Sequence, residues 1–321
     1  MTLKNTLAST ICLLATASLF ATGTASATTK CNGYAKLCSR TLDKVVLPGS
    51  HNSMSSKEFG FGIPNQQFGI PHQLTKGIRA MLIDTHYGKP RTIMFLGKLT
   101  TVIDDVTEGT PGRLPYLCHL SCLSGAIPLA DGLKTVADFL KTHTSEVMVF
   151  VNESYITPAD FSAAVTSSGL SKYIYKGSTT TYPTLSKMIS TNGRVVMFSE
   201  GDTGSVAWYH QGYAGSLQET PYSFLTTNLL TAPGSLAASC VTNRGGSTGK
   251  LFLMNHFITP AVTASYAADL LTTAAAVNGK ATIIARANAC KTARGKYPNI
   301  IAVDQTQLGD VIGAAKTLNG V

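Results

Sequence analysis

The stretch that decides the fold spans residues 46–54 and reads Val46-Leu47-Pro48-Gly49-Ser50-His51-Asn52-Ser53-Met54. It completes a short β-branched run over residues 42–47, apolar from Val45 to Leu47, which Pro48-Gly49 stops, and it puts His51-Asn52 just beyond that run. A short apolar run bounded by turn residues is typical of a buried strand. We therefore expect a strand here, with two polar side chains near its carboxyl end.

Six further runs of the same kind follow along the chain. They cover residues 79–84, 117–119, 147–151, 195–199, 251–255 and 300–303. Most are continuously apolar, which is the pattern of strands buried on both faces of a parallel sheet. Helical patterns lie between them, at residues 129–142, 158–168 and 261–277. This alternation predicts an α/β fold, with an eighth strand expected in the threonine-rich region at residues 179–184.

Polar side chains follow or end these runs. They are, in chain order, His51, Asp84, His119, Glu153, Glu200, Asn255-His256 and Asp304. In a (β/α)8 barrel the carboxyl ends of the strands meet at one mouth, where active sites form. A helix N-cap or a solvated loop explains any single one of these residues equally well. That explanation is weaker for the whole set, because His and Glu are not favoured caps, so we expect an active site at the mouth.

The parity of the second run separates its two charged residues. Residues 80, 82 and 84 share one face of a strand, and residues 79, 81 and 83 share the other. If Asp84 points into the mouth, Arg79 starts at the far end on the opposite face. We therefore expect Arg79 to be a structural ion-pair partner.

The first 27 residues have the pattern of a secretory signal peptide. Lys4 supplies the positive region, residues 11–20 the apolar stretch, and Ala25-Ser26-Ala27 the cleavage site. An N-terminal anchor that stays attached is the alternative, although the apolar stretch is short for one. We therefore expect residues 28–321 to form the mature domain, and we expect the protein to be secreted to the extracellular space.

Six cysteines remain when the predicted signal peptide is removed: Cys31, Cys38, Cys118, Cys122, Cys240 and Cys290. An even number in an exported chain suggests disulfides. Short spacing favours the pairs Cys31–Cys38 and Cys118–Cys122, which leaves Cys240 to pair with Cys290. A zinc site is the alternative, but the sequence contains no C-x2-C pair to support it.

Composition limits the partners of the chain. It holds 26 Lys and Arg against 17 Asp and Glu, a formal net charge of +9. This balance favours anionic partners such as lipid headgroups or cell-wall polymers, although an ordinary soluble surface is an equal alternative. The sequence has no Lys/Arg run or aromatic-spaced basic stripe, so no nucleic-acid partner is expected. We expect a monomer that contacts at most a peripheral membrane surface, where Trp208 would insert unless it packs in the core or rim.

Four blocks of sequence carry more specific information. They are residues 46–54; Pro64-Asn65-Gln66 with Gln73-Leu74-x-x-Gly77-Ile78-Arg79-Ala80-Met81-Leu82-Ile83-Asp84; Leu117-Cys118-His119; and Phe150-Val151-Asn152-Glu153. These blocks resemble the X-domain superfamily of phosphatidylinositol-specific phospholipases C. Later blocks resemble its secreted microbial and fungal-type members: Glu219-Thr220-Pro221-Tyr222, Cys240-x-x-Asn243-Arg244-Gly245, Leu253-Met254-Asn255-His256 and Ile301-Ala302-Val303-Asp304. The resemblance covers nearly the whole chain from Cys31 onward.

The resemblance implies a single-domain distorted TIM (β/α)8-type barrel, here stapled by disulfides, that cleaves a phospholipid or inositol phosphodiester in two steps. The inositol 2-hydroxyl attacks phosphorus and diacylglycerol leaves, and the cyclic phosphate is then open to hydrolysis. By motif position, His51 is the general base, His119 the general acid, and Asp304 the carboxylate that orients His51. Histidine suits both roles because its ordinary pKa of about 6.5 lets it exchange protons near neutral pH.

The resemblance also implies a calcium site. Metal-independent bacterial members carry arginine at the position of Asp84, whereas calcium-dependent members carry the oxygen ligands that this chain has at Asn52, Asp84 and Glu153. Such ligands suit Ca²⁺, which would stabilise the charge that develops on the phosphoryl group. Animal calcium-dependent members have a second acid two residues before that aspartate, and Leu82 stands there in this chain.

Two further residues and two other functions stay open. Glu200 and His256 stand at strand ends where family members contact the inositol ring, so each is a candidate for substrate binding or for a structural role. A sphingomyelinase D or glycerophosphodiesterase relative would also pair two histidines with a metal. It would cluster its acids as Glu-x-Asp, however, where this chain has Leu82 and Asp84. The other alternative is a non-catalytic protein of the same fold that binds phospholipid or glycan.

Overall fold

The structure, a computed structural model, describes residues 1–2, 29–261, 263 and 265–321. Residues 3–27 of the predicted signal peptide lie outside the described residues, so the signal peptide and the boundary at residue 28 stay predictions. No described helix has both the length and the apolar character that crossing a membrane requires.

One sheet organises the described part of the chain. Its eleven strands are Leu47–Ser50 (β1), Ala80–Phe95 (β2), Lys98–Asp105 (β3), Leu114–Leu117 (β4), Ile127–Pro128 (β5), Met148–Ser154 (β6), Val195–Ser199 (β7), Tyr209–Gln211 (β8), Leu217–Glu219 (β9), Leu251–Asn255 (β10) and Ile300–Val303 (β11). Eight of them hydrogen-bond in the order β8-β7-β6-β2-β1-β11-β10-β9, and each pair in that path is parallel.

This order makes the sheet a curled barrel. It follows the chain in a circle, because the first strand lies between the second and the last. The circle is interrupted only between β8 and β9, which do not pair within the described residues. The predicted α/β class and the distorted TIM-type barrel are therefore confirmed, as a single domain with one open seam.

Three strand predictions were wrong. Residues 42–44 form a short 3₁₀ turn, so β1 begins only at Leu47. Residues 114–117 form β4, which is antiparallel to β2 and is not a barrel strand. Residues 179–183 form no strand, and the two missing barrel strands are β8 and β9 instead. Each is three residues long and mixes apolar with polar side chains, so neither presents the apolar run that predicts a strand.

Eight α-helices surround the barrel in the described part of the chain. They are Ile70–Lys76 (α1), Leu129–Thr142 (α2), Pro158–Ser167 (α3), Leu185–Ser190 (α4), Asn228–Thr231 (α5), Tyr266–Val277 (α6), Lys280–Arg294 (α7) and Val311–Asn319 (α8). The predicted helices at residues 129–142 and 158–168 are confirmed to within one residue. The helix expected from residue 261 begins at Tyr266. Thr157 caps α3 by accepting a hydrogen bond from the Asp160 amide, and Pro158 fills its first turn.

Alternate residues of the strands face two different apolar clusters. In β6, Val149 and Val151 belong to the cluster that fills the barrel, whereas Met148 and Phe150 belong to the cluster under the helices. Two-residue periodicity of a strand requires this division, and both faces are buried as in other parallel sheets. Arg79 is bound to Glu146 at 2.7 Å, which confirms the predicted structural ion pair.

Three disulfides link the predicted pairs. Cys31–Cys38, Cys118–Cys122 and Cys240–Cys290 have Cα–Cα distances of 5.1, 4.9 and 5.0 Å. The third closes a loop of 50 residues between the segment before β10 and α7. Closing a loop of that length stabilises the fold by about 4 kcal/mol in the chain-entropy account. The pairing predicted from spacing is confirmed.

One element leaves the barrel altogether. Beyond its barrel section, β2 pairs with β3 in an antiparallel ladder from Gly88 opposite Asp105 to Phe95 opposite Lys98. We call residues 88–105 the hairpin arm. The arm continues β2 beyond the carboxyl end of its barrel section, so the arm starts on the same side of the barrel as the mouth.

Candidate active site

A cleft opens at the carboxyl ends of the barrel strands. The residues that line it are His51, Asn52, Leu82, Ile83, Asp84, Val151, Glu153, Glu200, Glu219, Tyr222, Arg244, Leu253, Asn255 and Phe257. Five of the predicted site residues are therefore in one cleft. Two more, His119 and Asp304, are hydrogen-bonded to members of that set.

His51 and Asp304 are neighbours because of strand register. β1 and β11 pair so that Ser50 lies opposite Val303, and the next residue of each strand enters the mouth beside the other. The Nδ1 atom of His51 is 2.9 Å from Oδ1 of Asp304. Because a carboxylate accepts, Nδ1 carries the hydrogen and Nε2 is left for proton transfer. The imidazole also stacks flat on Phe257, with ring centroids 3.7 Å apart.

The environment of His51 raises its basicity. Burial by itself would lower the pKa of His51. The charge and the hydrogen bond of Asp304, together with two more distant carboxylates, outweigh that effect, and the pKa lies above its ordinary value. A base whose pKa is raised accepts a proton more readily once it is neutral.

His119 is held by a second carboxylate in the same manner. Its Nδ1 atom is 2.9 Å from Oδ2 of Asp84. Asp84 belongs to β2, and His119 follows β4, which pairs antiparallel with β2 next to that point. The Cys118–Cys122 disulfide closes the short loop that carries His119. Sheet pairing and a covalent link therefore fix the second imidazole.

Unusual backbone conformations accompany these side chains. Among the described residues, six that are not glycine have positive φ, and three of the six are Asn52, Leu120 and Gln305. Each of these three directly follows one of the predicted catalytic residues. A left-handed conformation is tolerated by asparagine but costs a leucine about 1–2 kcal/mol. Strain that recurs beside functional side chains is typical of active sites, so this pattern supports the location of the site.

Three carboxylates stand in a row across the mouth. Asp84 lies opposite Glu153 in the β2–β6 register, and the β6–β7 register brings Glu200 next to Glu153. Asp84 is bound to His119, and Glu200 is bound to Arg244. Within the described residues, Glu153 accepts a single hydrogen bond, from the Tyr155 hydroxyl. Like charges on adjacent strands repel, so the row favours binding of a cation.

Three oxygens at one end of this row accept no hydrogen bond from the described residues. They are Oδ1 of Asp84, Oε2 of Glu153 and Oδ1 of Asn52, whose Nδ2 points instead to Asn65 at 3.3 Å and His119 at 3.4 Å. Hard oxygen donors of this kind fit Ca²⁺. Within the described residues no group of three or more His, Cys, Asp and Glu side chains could hold a metal ion. Asp84, Glu153 and the Asn52 amide line the cleft together, and Leu82 lines it as an apolar residue.

The opposite side of the cleft is built around Arg244. Its guanidinium donates to Glu200 at 2.6 and 3.1 Å and to Glu219 at 2.5 and 3.2 Å. The rings of Tyr213 and Tyr222 lie 4.2 and 5.1 Å from it. Glu219 is fully buried and also accepts hydrogen bonds from Tyr213, Asn243 and Asn255. Burial raises the pKa of Glu200 more than its ion pair with Arg244 lowers it.

The cleft therefore has two walls of different composition. The histidine wall consists of His51, Asn52, Asp84, His119 and Glu153. The arginine wall consists of Glu200, Tyr213, Glu219 and Arg244. From the arginine wall, the sequence predicted only Glu200 as a site residue. Glu219 was missed because β9 was missed, although the blocks Glu219-Thr220-Pro221-Tyr222 and Asn243-Arg244 were visible in the sequence.

Of the two roles left open for His256, substrate binding or a structural role, its place in the fold fits the structural one. His256 is fully buried, with Nε2 3.0 Å from the Val277 carbonyl oxygen and Nδ1 3.2 Å from Nη1 of Arg286. Burial, reinforced by the charge of Arg286, lowers the pKa of His256 to about 3. Residues alternate in direction past β10, so Asn255 and Phe257 line the cleft while His256 points away from it.

Comparison with known proteins places the chain in a family. A family model described as PI-PLC X 1 matches residues 105–319, which is more than half of the chain. The chain belongs to this family. The match includes His119, Glu153 and Asp304, whereas His51 and Asp84 precede it. The resemblance inferred from the sequence blocks is thereby confirmed.

Two relatives from Arthroderma benhamiae are similar over most of the chain. An uncharacterized secreted protein is 27% identical, with 92% of this chain and 65% of the relative covered. A PI-PLC X domain-containing protein 1 is also 27% identical, with 91% of this chain and 90% of the relative covered. The chain thus spans slightly less than two thirds of the length of the first relative.

Solved structures of a bacterial enzyme share the fold. A mutant of phosphatidylinositol-specific phospholipase C from Staphylococcus aureus matches with a TM-score of 0.54 and 14% identity, covering 88% of this chain and 94% of that one. A form of the same enzyme with incorporated pentafluoro-phenylalanine matches with a TM-score of 0.53 and 15% identity, covering 87% and 93%. At this identity the likeness shows the barrel fold alone. The fold is that of these phospholipase C structures, and the family is the one described as PI-PLC X 1.

Proposed function

We propose that the protein is a secreted phosphodiesterase of the phospholipase C type that cleaves a phosphoinositide-like phosphodiester. One observation carries the proposal. Two imidazoles stand at one cleft, and each is bonded through Nδ1 to its own carboxylate at 2.9 Å. Such pairing fixes each ring and makes Nε2 the atom for proton transfer, as acid–base chemistry at a diester requires. At His119 that atom lies 3.4 Å from Nδ2 of Asn52, a contact that the leaving oxygen would have to displace.

In the proposed first step His51 acts as the base. Its Nε2 takes the proton of the inositol 2-hydroxyl while that oxygen forms a bond to phosphorus. The bond from phosphorus to the diacylglycerol oxygen breaks, and His119 gives that oxygen its proton. Asp304 stabilises the imidazolium that forms at His51, and Asp84 holds the ring of His119.

Hydrolysis of the cyclic phosphate reverses these proton transfers. His119, now neutral, takes a proton from water as the water oxygen bonds to phosphorus. His51, now protonated, returns its proton to the 2-oxygen as the ring opens. Both histidines thereby recover their starting states, and each carboxylate keeps its partner throughout.

Calcium is part of the proposal. Asn52, Asp84 and Glu153 would hold the ion through the three oxygens that accept no hydrogen bond from the described residues. The bound ion supplies charge stabilisation at the phosphoryl oxygens. A physical reason supports it: the cleft is lined by four carboxylates, and its one arginine is already paired with two of them. An anionic diester would otherwise meet net negative charge.

The arginine wall is proposed to bind the headgroup. Glu200 and Arg244 present fixed donors and acceptors whose charges cancel each other in part. A surface of that kind suits the hydroxyls of a neutral ring better than a phosphate. Tyr222 is 43% exposed at the rim, where its ring is available to cover such a ligand.

Turnover assays test the proposal directly. Purified protein is mixed with phosphatidylinositol, with and without Ca²⁺, and diacylglycerol and inositol phosphates are measured. Turnover is expected only with Ca²⁺. His51→Ala and His119→Ala should each lower it about 10²–10⁴-fold. The matched control is His72→Ala, a histidine on α1 that stacks on Phe68 outside the cleft. Full activity in excess chelator would refute the calcium role.

Substrate panels separate the alternatives. Sphingomyelin and simple glycerophosphodiesters are assayed beside phosphatidylinositol. Preferential turnover of either would favour the sphingomyelinase D or glycerophosphodiesterase alternative. Binding of phosphatidylinositol without turnover of any diester would favour a non-catalytic protein.

Secretion is proposed from two observations. Three disulfides are typical of chains that fold in an oxidising compartment. One relative is described as a secreted protein. The proposal is checked by expressing the full chain and sequencing the amino terminus of the protein in the medium, which should begin at residue 28. An intracellular product that starts at residue 1 would contradict it.

A further inference from the structure

The tip of the hairpin arm exposes apolar side chains. Met94, Phe95, Leu96 and Leu99 are 66%, 58%, 87% and 74% exposed. Opposite residues of the ladder share a face, so Met94 and Leu99 cover one face of the tip, while Phe95 lies with Lys98 on the other. Both faces are therefore apolar. A contiguous exposed apolar patch indicates a contact surface.

The turn at the tip is unfavourable for the isolated hairpin. Leu96 and Gly97 both have positive φ, 49° and 75°. Such two-residue turns favour Asn-Gly, because asparagine tolerates the left-handed conformation and leucine does not. Leu96 is thus both strained and the most exposed leucine of the tip. Neither property stabilises the folded chain, so leucine at this position is explained by a contact outside it.

Charge on the arm is distributed by distance from the barrel. Residues 92–102 contain a single charged side chain, Lys98. The acidic residues of the arm, Asp104 and Asp105, lie at its base. There Asp104 pairs with Arg91 at 2.5 Å, and Asp105 accepts a hydrogen bond from the Cys122 amide at 2.7 Å. The outer part therefore combines apolar side chains with one cation and no anion.

The arm is firmly connected to the site. β2 is one continuous strand from Ala80 through Asp84 to Phe95, so about ten residues of extended chain, roughly 33 Å, separate the cleft from the tip. At the base, Asp105 also accepts from the Ser121 hydroxyl, in the disulfide loop that carries His119. The arm leaves the barrel on the side where the cleft opens.

We propose that the hairpin arm docks the protein on an anionic lipid surface, with its apolar tip at the level of the headgroups and upper acyl chains. A lipid surface surrounds an inserted tip, which fits apolar side chains on both faces, whereas a protein groove would cover one. Lys98 attracts anionic headgroups. The ribbon has open edges with backbone groups that need water, so the tip reaches the interface and not the hydrocarbon core.

The inference rests on the proposed function for its purpose, because the substrate of that function lies in such a surface. It assigns the lipid contact to the arm and not to Trp208. The ring of Trp208 is half-buried, and its centroid lies 6.4 Å from the centroid of the Phe161 ring. Docking through the arm would turn the cleft side of the barrel toward the lipid.

The first experiment measures binding without turnover. Vesicles of phosphatidylcholine with phosphatidylglycerol contain no inositol lipid, so sedimentation with them is independent of catalysis. Phe95→Thr combined with Leu96→Asn removes two apolar side chains and installs residues that favour strand and turn. The partition coefficient should fall about tenfold or more. The matched control is Leu271→Gln, which removes a 40% exposed leucine from α6 and should leave binding unchanged.

Three outcomes would overturn the inference. The first is a wild-type protein that does not sediment with these vesicles, and the second is a tip variant that sediments as well as wild type. The third is a wild-type protein that is dimeric in lipid-free sedimentation velocity and a tip variant that is monomeric, because the tip would then bind a second copy of the chain.

Charge and depth are tested separately. Lys98→Gln should weaken binding to anionic vesicles about fivefold and leave binding to pure phosphatidylcholine unchanged. In a Trp208→Phe background, Phe95→Trp should shift its emission to the blue when vesicles are added. An unshifted spectrum at saturating lipid would contradict insertion.

Activity on two substrates separates this inference from the proposed function. The tip variant should lose turnover of phosphatidylinositol in vesicles but keep turnover of a water-soluble inositol phosphodiester. If wild-type protein turns over neither substrate, the proposed function is refuted. The vesicle sedimentation assay still tests whether the hairpin arm binds lipid.

Discussion

The two walls of the cleft carry the same kind of side chain under opposite conditions. On the arginine wall, Glu200 and Glu219 share the guanidinium of Arg244, and the buried Glu219 accepts from three further donors. On the histidine wall, Asp84 and Glu153 face each other across neighbouring strands, and neither has an arginine or lysine partner among the described residues. The difference indicates that the carboxylates of the first wall are partly compensated by a cation within the fold, whereas those of the second need a cation from outside.

This comparison assigns different chemistry to each wall. A hydrogen-bonded and rigid network recognises shape and hydroxyl direction, because its donors and acceptors are already fixed. A wall with uncompensated carboxylates concentrates positive charge at the place where a phosphoryl group would react.

Asp84→Asn should have the largest effect. It removes a proposed calcium ligand and also weakens the carboxylate that holds His119 at 2.9 Å. We expect kcat to fall about 10³-fold, with more Ca²⁺ needed for half-maximal rate. Steady-state assays across a calcium titration measure both. Glu200→Gln is the matched variant on the other wall and should raise KM for the substrate without changing the calcium requirement. Equal calcium curves for both variants would erase the distinction.

Asp304→Asn should change the pH profile as well as the rate. The base must be neutral to act, so the acidic limb of kcat/KM should follow the pKa of His51, which the charge of Asp304 raises. Removing the charge of Asp304 lowers that pKa, so the midpoint should move to lower pH, while the maximal rate falls about 10²-fold. Asp138→Asn, at an exposed ion pair on α2, should leave the limb in place. In Asp304→Asn, an acidic midpoint that moves to higher pH would contradict the proposed effect of Asp304 on His51.

Arg244→Gln should destabilise the fold rather than only the complex. Glu219 is 1% exposed and Glu200 15% exposed, so losing the guanidinium leaves two carboxylates poorly compensated. Because the arginine itself is 36% exposed, we expect the free energy of unfolding to fall by about 2 kcal/mol, less than for a fully buried pair. Urea unfolding measures this change. Arg91→Gln, at the exposed ion pair on the hairpin arm, should leave it nearly unchanged. Similar losses for both variants would argue that Arg244 does not compensate the carboxylates of the arginine wall.

The buried side chain of His256 should make the fold sensitive to acid. The pKa of His256 is about 3 in the folded chain, against about 6.5 when unfolded. Between these values the unfolded chain binds a proton that the folded chain excludes. His256 therefore makes the free energy of unfolding fall by about 1.4 kcal/mol for each pH unit below about 6.5. His256→Gln should reduce the slope of stability against pH, whereas His72→Gln should not. Urea unfolding at several pH values decides this, and an unchanged slope in His256→Gln would show that another group causes the acid sensitivity.

Most of the barrel could be predicted from sequence because its long strands are buried on both faces. Runs such as Val195–Ser199 carry that burial as an uninterrupted apolar pattern. β8 and β9 could not be found this way. Each is only three residues long, and residues such as Gln218 and Glu219 are buried there because polar partners from distant segments satisfy them. Local sequence does not record those partners.

The residues of the site divide in the same way, into those that a local sequence pattern predicts and those whose position depends on distant segments. His51, Asp84, His119 and Asp304 follow recognisable blocks, and the structure brings them together. The role of Arg244 depends on a strand register that no short pattern encodes. His256 shows the opposite failure: a polar residue at a strand end looked available, but the alternation past β10 turned it into the interior. Direction is decided by one residue of register, which the sequence alone leaves open.

The first and last strands of the barrel lie side by side, and this has a consequence for when the protein can work. His51 emerges from synthesis early, whereas its partner Asp304 is 253 residues further along the chain. A chain that is unfinished, clipped near its end or still unfolded for transport has the imidazole without the carboxylate that orients it. Under the proposed function, catalytic competence would begin only once Asp304 has been made and folded beside His51, which would protect the lipids of the cell that makes the chain.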